Sequence, residues 1–321
     1  MSFLEVLRFL GRRLLALPVV LFVISLGVFS LLYLAPGGVE AALLGNRPAT
    51  PEIIRAIRDE YHLDDPFLTQ YWLWLQDALR LDFGRSIKSG EPVFTVIGRG
   101  MTTTLFLSAY AFIIAMTFGV GLGVLAAVRR RTIVDRGVVG LSVFSVSAPA
   151  FATGIFLLYL FSVRLGWFPV FGQGSGFVDR VWHLTLPALA LALSIMALVV
   201  KLTRAGMIGA LEQDYVAFAR ARGVSSRNVL VKYAFRNALV PIVTAGGVLL
   251  AFTLTGATLV EVTFSLPGIG SRLVEAASFK DVPVVQGIAM TFAITIVIVN
   301  VLVDLMYVLV DPRIRFGKSA A

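Results

Sequence analysis

The sequence predicts an all-α integral membrane protein with six transmembrane helices and both termini on the cytoplasmic side. Hydrophobic residues make up 58% of the 321 residues, charged residues make up 15%, and the mean hydropathy is +0.87. Soluble domains have about 45–50% apolar and about 25% charged residues. Six apolar blocks each reach the roughly 20 residues that a helix needs to cross a bilayer. Basic residues cluster beside alternate blocks, which sets the orientation.

The first predicted span covers residues 14–35. Arginines precede it, as in a signal peptide, but the block from Leu14 to Ala35 exceeds the ~7–15 apolar residues of such a peptide, so we interpret it as a retained span. The other five spans are predicted at 102–128, 137–163, 181–203, 238–260 and 284–310. Together with their connections, these five form a predicted helical core at residues 100–310.

Basic residues predict which connections face the cytoplasm. Short segments on one side carry most of the 28 Lys and Arg residues: Arg8, Arg12, Arg13, Arg129, Arg130, Arg131, Arg136, Lys201, Arg204, Arg220, Arg222, Arg227, Lys232, Arg236, Arg313, Arg315 and Lys318. The positive-inside rule makes residues 1–13, 204–237 and 311–321 cytoplasmic and residues 36–99 an extracytoplasmic helical insertion. Topology therefore accounts for the net charge of +9, and nucleic acid is not a predicted partner. The absence of cysteine excludes disulfides and thiolate metal sites.

Two helices are predicted in the insertion. Thr50 is the expected N-cap and Pro51 the first residue of a helix whose apolar face holds Ile53, Ile54, Ile57 and Tyr61. The second helix is predicted to carry an apolar stripe of Phe67, Leu68, Tyr71, Trp72, Leu75 and Leu79. The two stripes either pack on each other or on the membrane interface, or they form a docking surface for an external partner.

Prolines, glycines and hydroxyl residues mark the predicted spans. Pro149 is expected to kink the third span and to line a path through the bundle. Gly119, Gly121 and Gly123 indicate either close helix packing or a flexible joint. Two hypotheses explain the hydroxyl residues of the fifth span: they form a stripe that faces a pore, or their hydroxyls bond to the backbone of their own helix. The stripe consists of Thr244, Ala251, Thr255 and Thr258.

Charged and metal-binding side chains are rare at membrane depth. Glu261 is expected to end the fifth span, and Asp304 lies inside the sixth, where a carboxylate needs a basic or polar partner. His183 and His62 are too far apart in sequence to indicate a metal site, and we interpret His183 as an interfacial polar residue.

The segment Met207–Pro241 interrupts the apolar blocks with a basic, helix-forming loop. Asp214 is predicted to cap a helix of about two turns, Tyr215–Arg222, and Gly223 to end it in the left-handed conformation. Because so short a helix is marginal in water, we expect it to dock into a groove of a partner. Ser225 is predicted to cap a second helix that runs directly into the fifth span, which would join the short helix rigidly to the membrane.

This loop resembles the cytoplasmic coupling loop of permease subunits in bacterial ABC importers for di- and oligopeptides, a group that includes nickel and glutathione importers. The similar segments, in the same order as in that family, are APGG, YHLDDPFLTQYWLWL, LDFGRSI, APAF, LGWFPVFG, HLTLPAL, QDYVAFARARG with RNALVPIV, VEVTFSLPGIG, KDVPVVQG and DPRIRFG. The resemblance covers nearly the whole chain. It implies the fold of a type I ABC importer permease, in the member of the permease pair with a long first ectodomain.

The resemblance implies roles for individual residues. The general importer pattern is Glu-Ala-Ala, then three residues, then Gly, and it aligns with Ala217, Phe218, Ala219 and Gly223. Ala217 and Phe218 depart from the pattern, and Arg236 stands where the wider superfamily has a proline. Peptide-type permeases commonly differ in these ways. The implied contact with an ATPase is formed by Asp214, Tyr215, Ala217, Phe218, Ala219, Arg220, Ala221, Arg222 and Gly223. Arg220 and Arg222 are expected to contact acidic residues in the groove of the ATPase. The alternative is that they are basic only because cytoplasmic loops of membrane proteins generally are. Docking of an external binding protein is predicted at Tyr71, Trp72, Pro267 and Gly268.

The implied assembly lies in the bacterial inner membrane. It contains a second homologous permease, two cytoplasmic ATPases that hold ATP and Mg²⁺, and an extracytoplasmic substrate-binding protein. This chain has no GxxxxGK[ST] phosphate loop, so it is not expected to be an enzyme itself. The predicted function is import of short peptides, with nickel or glutathione as alternative substrates. An ion-coupled secondary transporter and an intramembrane enzyme are the rival classes, but the carboxylate series or catalytic pairs that they require are not visible.

Overall fold

The computed structural model describes residues 3–34, 38–44 and 49–310, and these residues are almost entirely helical. The helices are α1 (Phe3–Ser30), α2 (Gly38–Leu44), α3 (Pro51–Glu60), α4 (Phe67–Leu79), α5 (Val93–Val128), α6 (Ile133–Ser147), α7 (Ala150–Leu157), α8 (Gly176–Leu211), α9 (Asp214–Ala221), α10 (Ser226–Asn228), α11 (Arg236–Thr263), α12 (Ile269–Ser278) and α13 (Val282–Val310). A π-helix, Leu158–Arg164, continues α7, and a second, Val229–Phe235, joins α10 to α11. The predicted all-α class is confirmed.

Within the residues that the structure describes, four continuous helices are long and apolar enough to cross a membrane. They are Val93–Val128, Gly176–Leu211, Ser226–Thr263 and Val282–Val303, and they overlap the predicted second, fourth, fifth and sixth spans. The predicted first span overlaps a shorter apolar helix, Leu17–Ser30. Helix α1 ends at Ser30, earlier than the predicted boundary at residue 35, and turns follow at residues 31–34.

The predicted third span is not a single helix. Helix α6 and the α7 segment meet at a bend of 102°, and Pro149 is the N-cap of α7. A proline lacks the N–H of a helical residue, and its ring drives the preceding residue out of the α conformation. Ala148 accordingly has extended angles, φ −92° and ψ 123°. The predicted position of the proline effect is confirmed, and the effect is a sharp break of 102° between two helices and not a slight kink within one.

The described helices pack into two units. The first comprises the described residues 3–7, 105–265 and 298–310, and α8 forms its centre, packed by α6, α7 and α11. Adding a Cβ to Gly119 would place it 2.8 Å from the Cβ of Val199, and adding one to Gly123 would place it 2.6 Å from the Cβ of Thr203. Nothing lies within 4 Å of a Cβ on Gly121. Close packing therefore explains the first and third glycines, and α5 continues through all three as one helix.

The second unit comprises residues 8–104 and 266–297. Thr50 caps α3 as predicted, since its Oγ1 accepts the Ile53 N–H at 3.4 Å. Helix α4 packs against α1, and the Tyr71 hydroxyl lies 2.7 Å from Ser25 Oγ. Gln70 and Tyr71 are buried, whereas Leu68, Trp72 and Leu79 are exposed. Tyr71 is therefore held by α1, while the exposed Leu68, Trp72 and Leu79 leave contact with the membrane interface or with an external partner as predictions for this face of α4.

Asp281 connects two distant segments inside the second unit. Its carboxylate accepts the Ser86 hydroxyl at 2.5 Å, the Ile87 N–H at 3.1 Å and the Lys88 N–H at 3.3 Å. Only 3% of Asp281 is exposed. A buried carboxylate needs such donors to compensate its lost hydration, so this residue fixes the turn after α4 against the start of α13.

Candidate functional site

The first candidate site is α9, the short helix between α8 and α10. Asp214 is its first residue and Gln213 occupies the N-cap position without a side-chain hydrogen bond. The prediction that Asp214 caps the helix is therefore wrong by one position, although its negative charge lies in the first turn, where the helix dipole favours it. The helix spans Asp214–Ala221 instead of the predicted Tyr215–Arg222.

The end of α9 is a complete Schellman motif. The Gly223 N–H donates to the Arg220 carbonyl at 3.0 Å, and the Val224 N–H donates to the Ala219 carbonyl at 3.1 Å. Gly223 has φ +75°, a conformation that glycine adopts without a steric cost. The predicted glycine terminator is confirmed.

Helix α9 has a buried and an exposed face. Val216 and Ala219 are buried and pack against Val229, the first residue of the second π-helix. Phe218 is 70% exposed and Tyr215 is 39% exposed. The remaining predicted contact residues are exposed as well: Asp214, Ala217, Arg220, Ala221, Arg222 and Gly223. Ala219 differs from the other predicted contact residues, because its small side chain is buried where α9 packs on its own chain.

The chain after α9 is one continuous helix, Ser226–Thr263, which we call the lever helix. The predicted direct connection from the loop into the fifth span is confirmed, while Ser225 occupies the N-cap position without a side-chain hydrogen bond. The lever helix packs closely on α8: a Cβ on Gly206 would lie 3.4 Å from the Cβ of Ala238. Buried Ala210, Ala234 and Ala238 surround this contact. Small residues on both sides allow close approach of two helices, so both ends of the loop are firmly held.

The second candidate site is an open groove of about 1170 Å³ in the first unit, walled by α6, the start of α7, α8 and α11. Its lining is mainly apolar, and several lining side chains are largely exposed, among them Val143, Phe252 and Leu259. The polar lining residues are Ser142, Ser147, Ser194, Thr255, Lys201 and Arg204. An exposed apolar surface of this extent is typical of a site for a ligand, a lipid or a protein partner.

The groove contains part of the predicted path. Thr255 lines it, whereas Ala251 and Thr258 are not among the described lining residues. The side chain of Thr244, like that of Asp304, lies outside the described part of the chain. Pro149 is exposed at the break between the two helices that form one wall.

Helical spacing explains which α11 residues were missed. Leu249, Phe252, Gly256 and Leu259 line the groove, and their separations of three and four residues place them on one helix face. The predicted stripe of Thr244, Ala251, Thr255 and Thr258 also keeps helical spacing, but it follows a neighbouring face of α11, of which only Thr255 is among the described lining residues. Glu261, predicted to end the fifth span, is fully buried, and α11 continues to Thr263.

A bidentate ion pair borders the groove. Arg204 donates from Nε to Asp135 Oδ1 at 2.6 Å and from Nη2 to Oδ2 at 2.8 Å. The Arg131 N–H donates to the same carboxylate at 2.9 Å. The pair therefore ties the connection after α5 to both α6 and α8. Lys201 is exposed in the groove and forms no ion pair with the residues that the structure describes.

The predicted docking residues for an external protein separate into exposed and buried positions. Trp72 is 58% exposed, and Pro267 is half-buried. Tyr71 is only 4% exposed and packs on α1, so its ring is not available to a partner. Gly268 is also buried, because α5 approaches it closely: a Cβ on Gly100 would lie 2.8 Å from the Gly268 carbonyl carbon.

These features define a class of protein: a multi-span helical membrane protein that presents a short exposed helix between two long spans and an open apolar groove beside them. The chain belongs to the family of binding-protein-dependent transport system inner membrane components, whose model matches residues 119–316. The model of the N-terminal region of such membrane components matches residues 6–108. The chain is thus an inner-membrane permease component of an ABC transport system, and not itself an enzyme.

Relatives of this chain cover nearly its whole length. The glutathione transport system permease protein of Escherichia coli (strain K12) is 36% identical over 311 residues, 97% of this chain and 99% of the relative. A probable peptide ABC transporter permease of Sinorhizobium fredii is 37% identical over 308 residues, 95% and 98% of the two chains. Among solved structures, an inward-facing form of the MetNI methionine ABC transporter has a similar fold, with a TM-score of 0.54 and 15% identity over 67% of this chain and 96% of that one.

Proposed function

We propose that this chain is one of two homologous permease subunits of an ATP-driven importer and forms part of the path for short peptides. The observation that carries the proposal is α9, an exposed short helix fixed between the two long helices that wall the groove. A soluble ATPase that binds such a helix can move the membrane helices attached to it. The relatives named as glutathione and peptide permeases support the peptide class, since glutathione is itself a tripeptide.

The proposed ATPase contact follows from the exposed face of α9. Phe218 projects from the helix and fills a pocket of the ATPase, while Arg222 and Arg220 meet acidic residues around it. ATP binding closes the two ATPases, each carries its docked helix with it, and α8 and the lever helix tilt. Since α8 and the lever helix both line the groove, the tilt changes access to it, and ATP hydrolysis resets the arrangement. ATP and Mg²⁺ belong to the partner ATPases.

The groove supports a path for peptides in its size and chemistry. Its volume of about 1170 Å³ exceeds the ~300–1,000 Å³ of ordinary small-molecule pockets. The hydroxyls of Ser142, Ser147 and Ser194 donate to carbonyls of their own helices. Their oxygens, like that of Thr255, can still accept a hydrogen bond from any peptide N–H, and the apolar remainder of the lining selects no particular side chain. The second permease would close the open side of the groove, and an external binding protein would supply most of the selectivity.

The proposed topology has six spans with both termini in the cytoplasm. It keeps the predicted division of the chain: spans at 14–35, 102–128, 137–163, 181–203, 238–260 and 284–310, with the loop 204–237 inside. The insertion 36–99 then lies outside, where exposed Trp72 and half-buried Pro267 are available to the binding protein. α9 lies in the inner loop, on the side where ATP is available.

Reconstitution into proteoliposomes tests the proposal. The permease pair with its ATPases and binding protein should take up glutathione or trialanine only when ATP is present on the ATPase side. Omission of the ATPases is the control and should abolish uptake. Uptake that persists without ATPases and follows a proton or sodium gradient would contradict the proposal, and uptake of nickel alone would leave the architecture but exclude the peptide class.

A further inference from the structure

A polar contact links α9 to the lever helix at a second point, separate from the apolar packing of Val216 and Ala219. The Asn237 side-chain amide donates through Nδ2 to the Tyr215 hydroxyl at 3.0 Å. The same Nδ2 group donates to the Tyr233 backbone carbonyl at 2.6 Å. Because a carbonyl oxygen only accepts, the bond to Tyr233 fixes the amide orientation, and the Tyr215 oxygen is the acceptor of the other bond.

The two contacts constrain different motions of α9. The apolar contact at Val229 lies eight residues before Asn237, which corresponds to roughly 12 Å along a helix at ~1.5 Å per residue. A short helix held at one point can rotate about that point. Two separated points of attachment prevent this rotation, so a displacement of α9 must move the lever helix.

The part of the lever helix between Val229 and Asn237 is the π-helix Val229–Phe235. π-helical turns are rare, poorly stabilised and frequent at functional sites. In a regular α-helix, the backbone N–H of residue 237 would donate to the carbonyl of residue 233. Here the side-chain amide of the same residue donates to that carbonyl. Asn237 therefore stabilises the end of the π-helix and holds α9 with a single amide group.

We propose that Tyr215 and Asn237 form a latch that transmits movement of α9 to the lever helix. Tyr215 and Asn237 are positioning residues in this proposal: they do not bind the ATPase or the substrate. Tyr215, which the sequence assigned to the ATPase contact, directs its hydroxyl to its own chain. The proposal rests on the proposed coupling role of α9, and it states which residues make the coupling rigid.

The latch predicts that its loss separates ATP hydrolysis from uptake. A hydrogen bond contributes about 0.5–1.5 kcal/mol, which corresponds to about a two- to tenfold change in an equilibrium. Tyr215→Phe should therefore raise the ATP hydrolysed per glutathione or trialanine imported about two- to tenfold. Co-purification of the ATPases should stay unchanged. Asn237→Ala should have at least the same effect, because it removes both hydrogen bonds.

The experiment uses the full permease–ATPase complex in proteoliposomes and a double-mutant cycle. In the presence of Asn237→Ala, the further change Tyr215→Phe should have no additional effect, since the bond is already absent. Tyr233→Phe is the matched control, because Tyr233 lies on the lever helix with 36% exposure and contributes only its backbone carbonyl to the latch. It should leave the ratio of ATP to substrate at the wild-type value.

Three results would overturn the latch: an unchanged ratio in Tyr215→Phe and Asn237→Ala, additive effects in the double variant, or an equal effect of Tyr233→Phe. Loss of ATPase co-purification in Tyr215→Phe would also overturn it, because Tyr215 would then be a docking residue. These outcomes are distinct from failure of the proposed function. That failure would appear in the wild-type complex itself as the absence of ATP-dependent uptake.

Discussion

Replacement of Phe218 by alanine tests whether α9 docks into a partner. Phe218 is a large apolar residue on α9, outside the apolar spans, and it is 70% exposed. A phenylalanine buries roughly 150–250 Å², so docking would remove about 100–175 Å² of its exposed surface from water. At ~25 cal/mol per Å² this burial stabilises the complex by about 2.5–4.4 kcal/mol. The alanine side chain retains part of that surface, so Phe218→Ala should weaken ATPase association by about 30- to 150-fold.

The assay is a titration of ATPase subunits onto the permease in lipid nanodiscs, with wild type and variant compared at one salt concentration. Phe171→Ala is the matched control, since Phe171 is 72% exposed and lies between α7 and α8, on the side predicted to be extracytoplasmic. The control should bind the ATPase like wild type. Association of Phe218→Ala within threefold of wild type would refute the docking role of α9.

Three stability predictions concern the backbone and buried groups that hold the two sites. Gly123→Ala should destabilise the chain by about 1–3 kcal/mol relative to Gly121→Ala. Both substitutions change helix propensity equally, but only the methyl group at position 123 would overlap a neighbouring helix. Equal unfolding midpoints of the two variants in denaturing detergent would contradict this. Gly223→Ala should fray α9 and speed its hydrogen exchange, since a left-handed alanine costs about 1–2 kcal/mol, and unchanged exchange would disprove it. Asp281→Ala should destabilise the second unit by about 1–3 kcal/mol by removing the acceptor of two backbone N–H groups. Glu275→Ala breaks only an exposed ion pair and should cost below ~1 kcal/mol, so equal losses in thermal unfolding would argue against the pinning role of Asp281.

Local signals in the sequence predicted several features of the fold correctly. The Thr50 cap, the glycine end of α9 and the direct run from the loop into α11 depend on residues close together in the chain. They also depend on backbone geometry that few residue types permit, which is why sequence reveals them. Pro149 was a candidate for a break because a proline removes a backbone donor, but Pro187 and Pro241 lie inside continuous helices, so the proline rule alone does not decide which proline breaks a span.

The sequence-based predictions were wrong where a side chain could contact either its own chain or a partner protein. Ala219 looked like a docking contact, yet it packs on Val229 of its own chain. Tyr71 looked like a docking residue for an external protein, yet it is buried and its hydroxyl lies beside Ser25 of α1. Both errors have one cause: helical periodicity shows which residues share a face, but it does not show what that face contacts.

By itself the sequence determined that this protein is a helical membrane protein with a basic loop outside the bilayer, because hydrocarbon requires long apolar helices and basic residues stay at the membrane surface. The resemblance of its motifs to importer permeases indicated the function. The sequence also placed the short helix and its glycine terminator within one residue. Only the tertiary structure decided which face of α9 remains free, which residues of α11 line the groove, and that Asn237 reaches back to Tyr215. These contacts join residues far apart in the chain, so they depend on how the helices pack and not on any local preference.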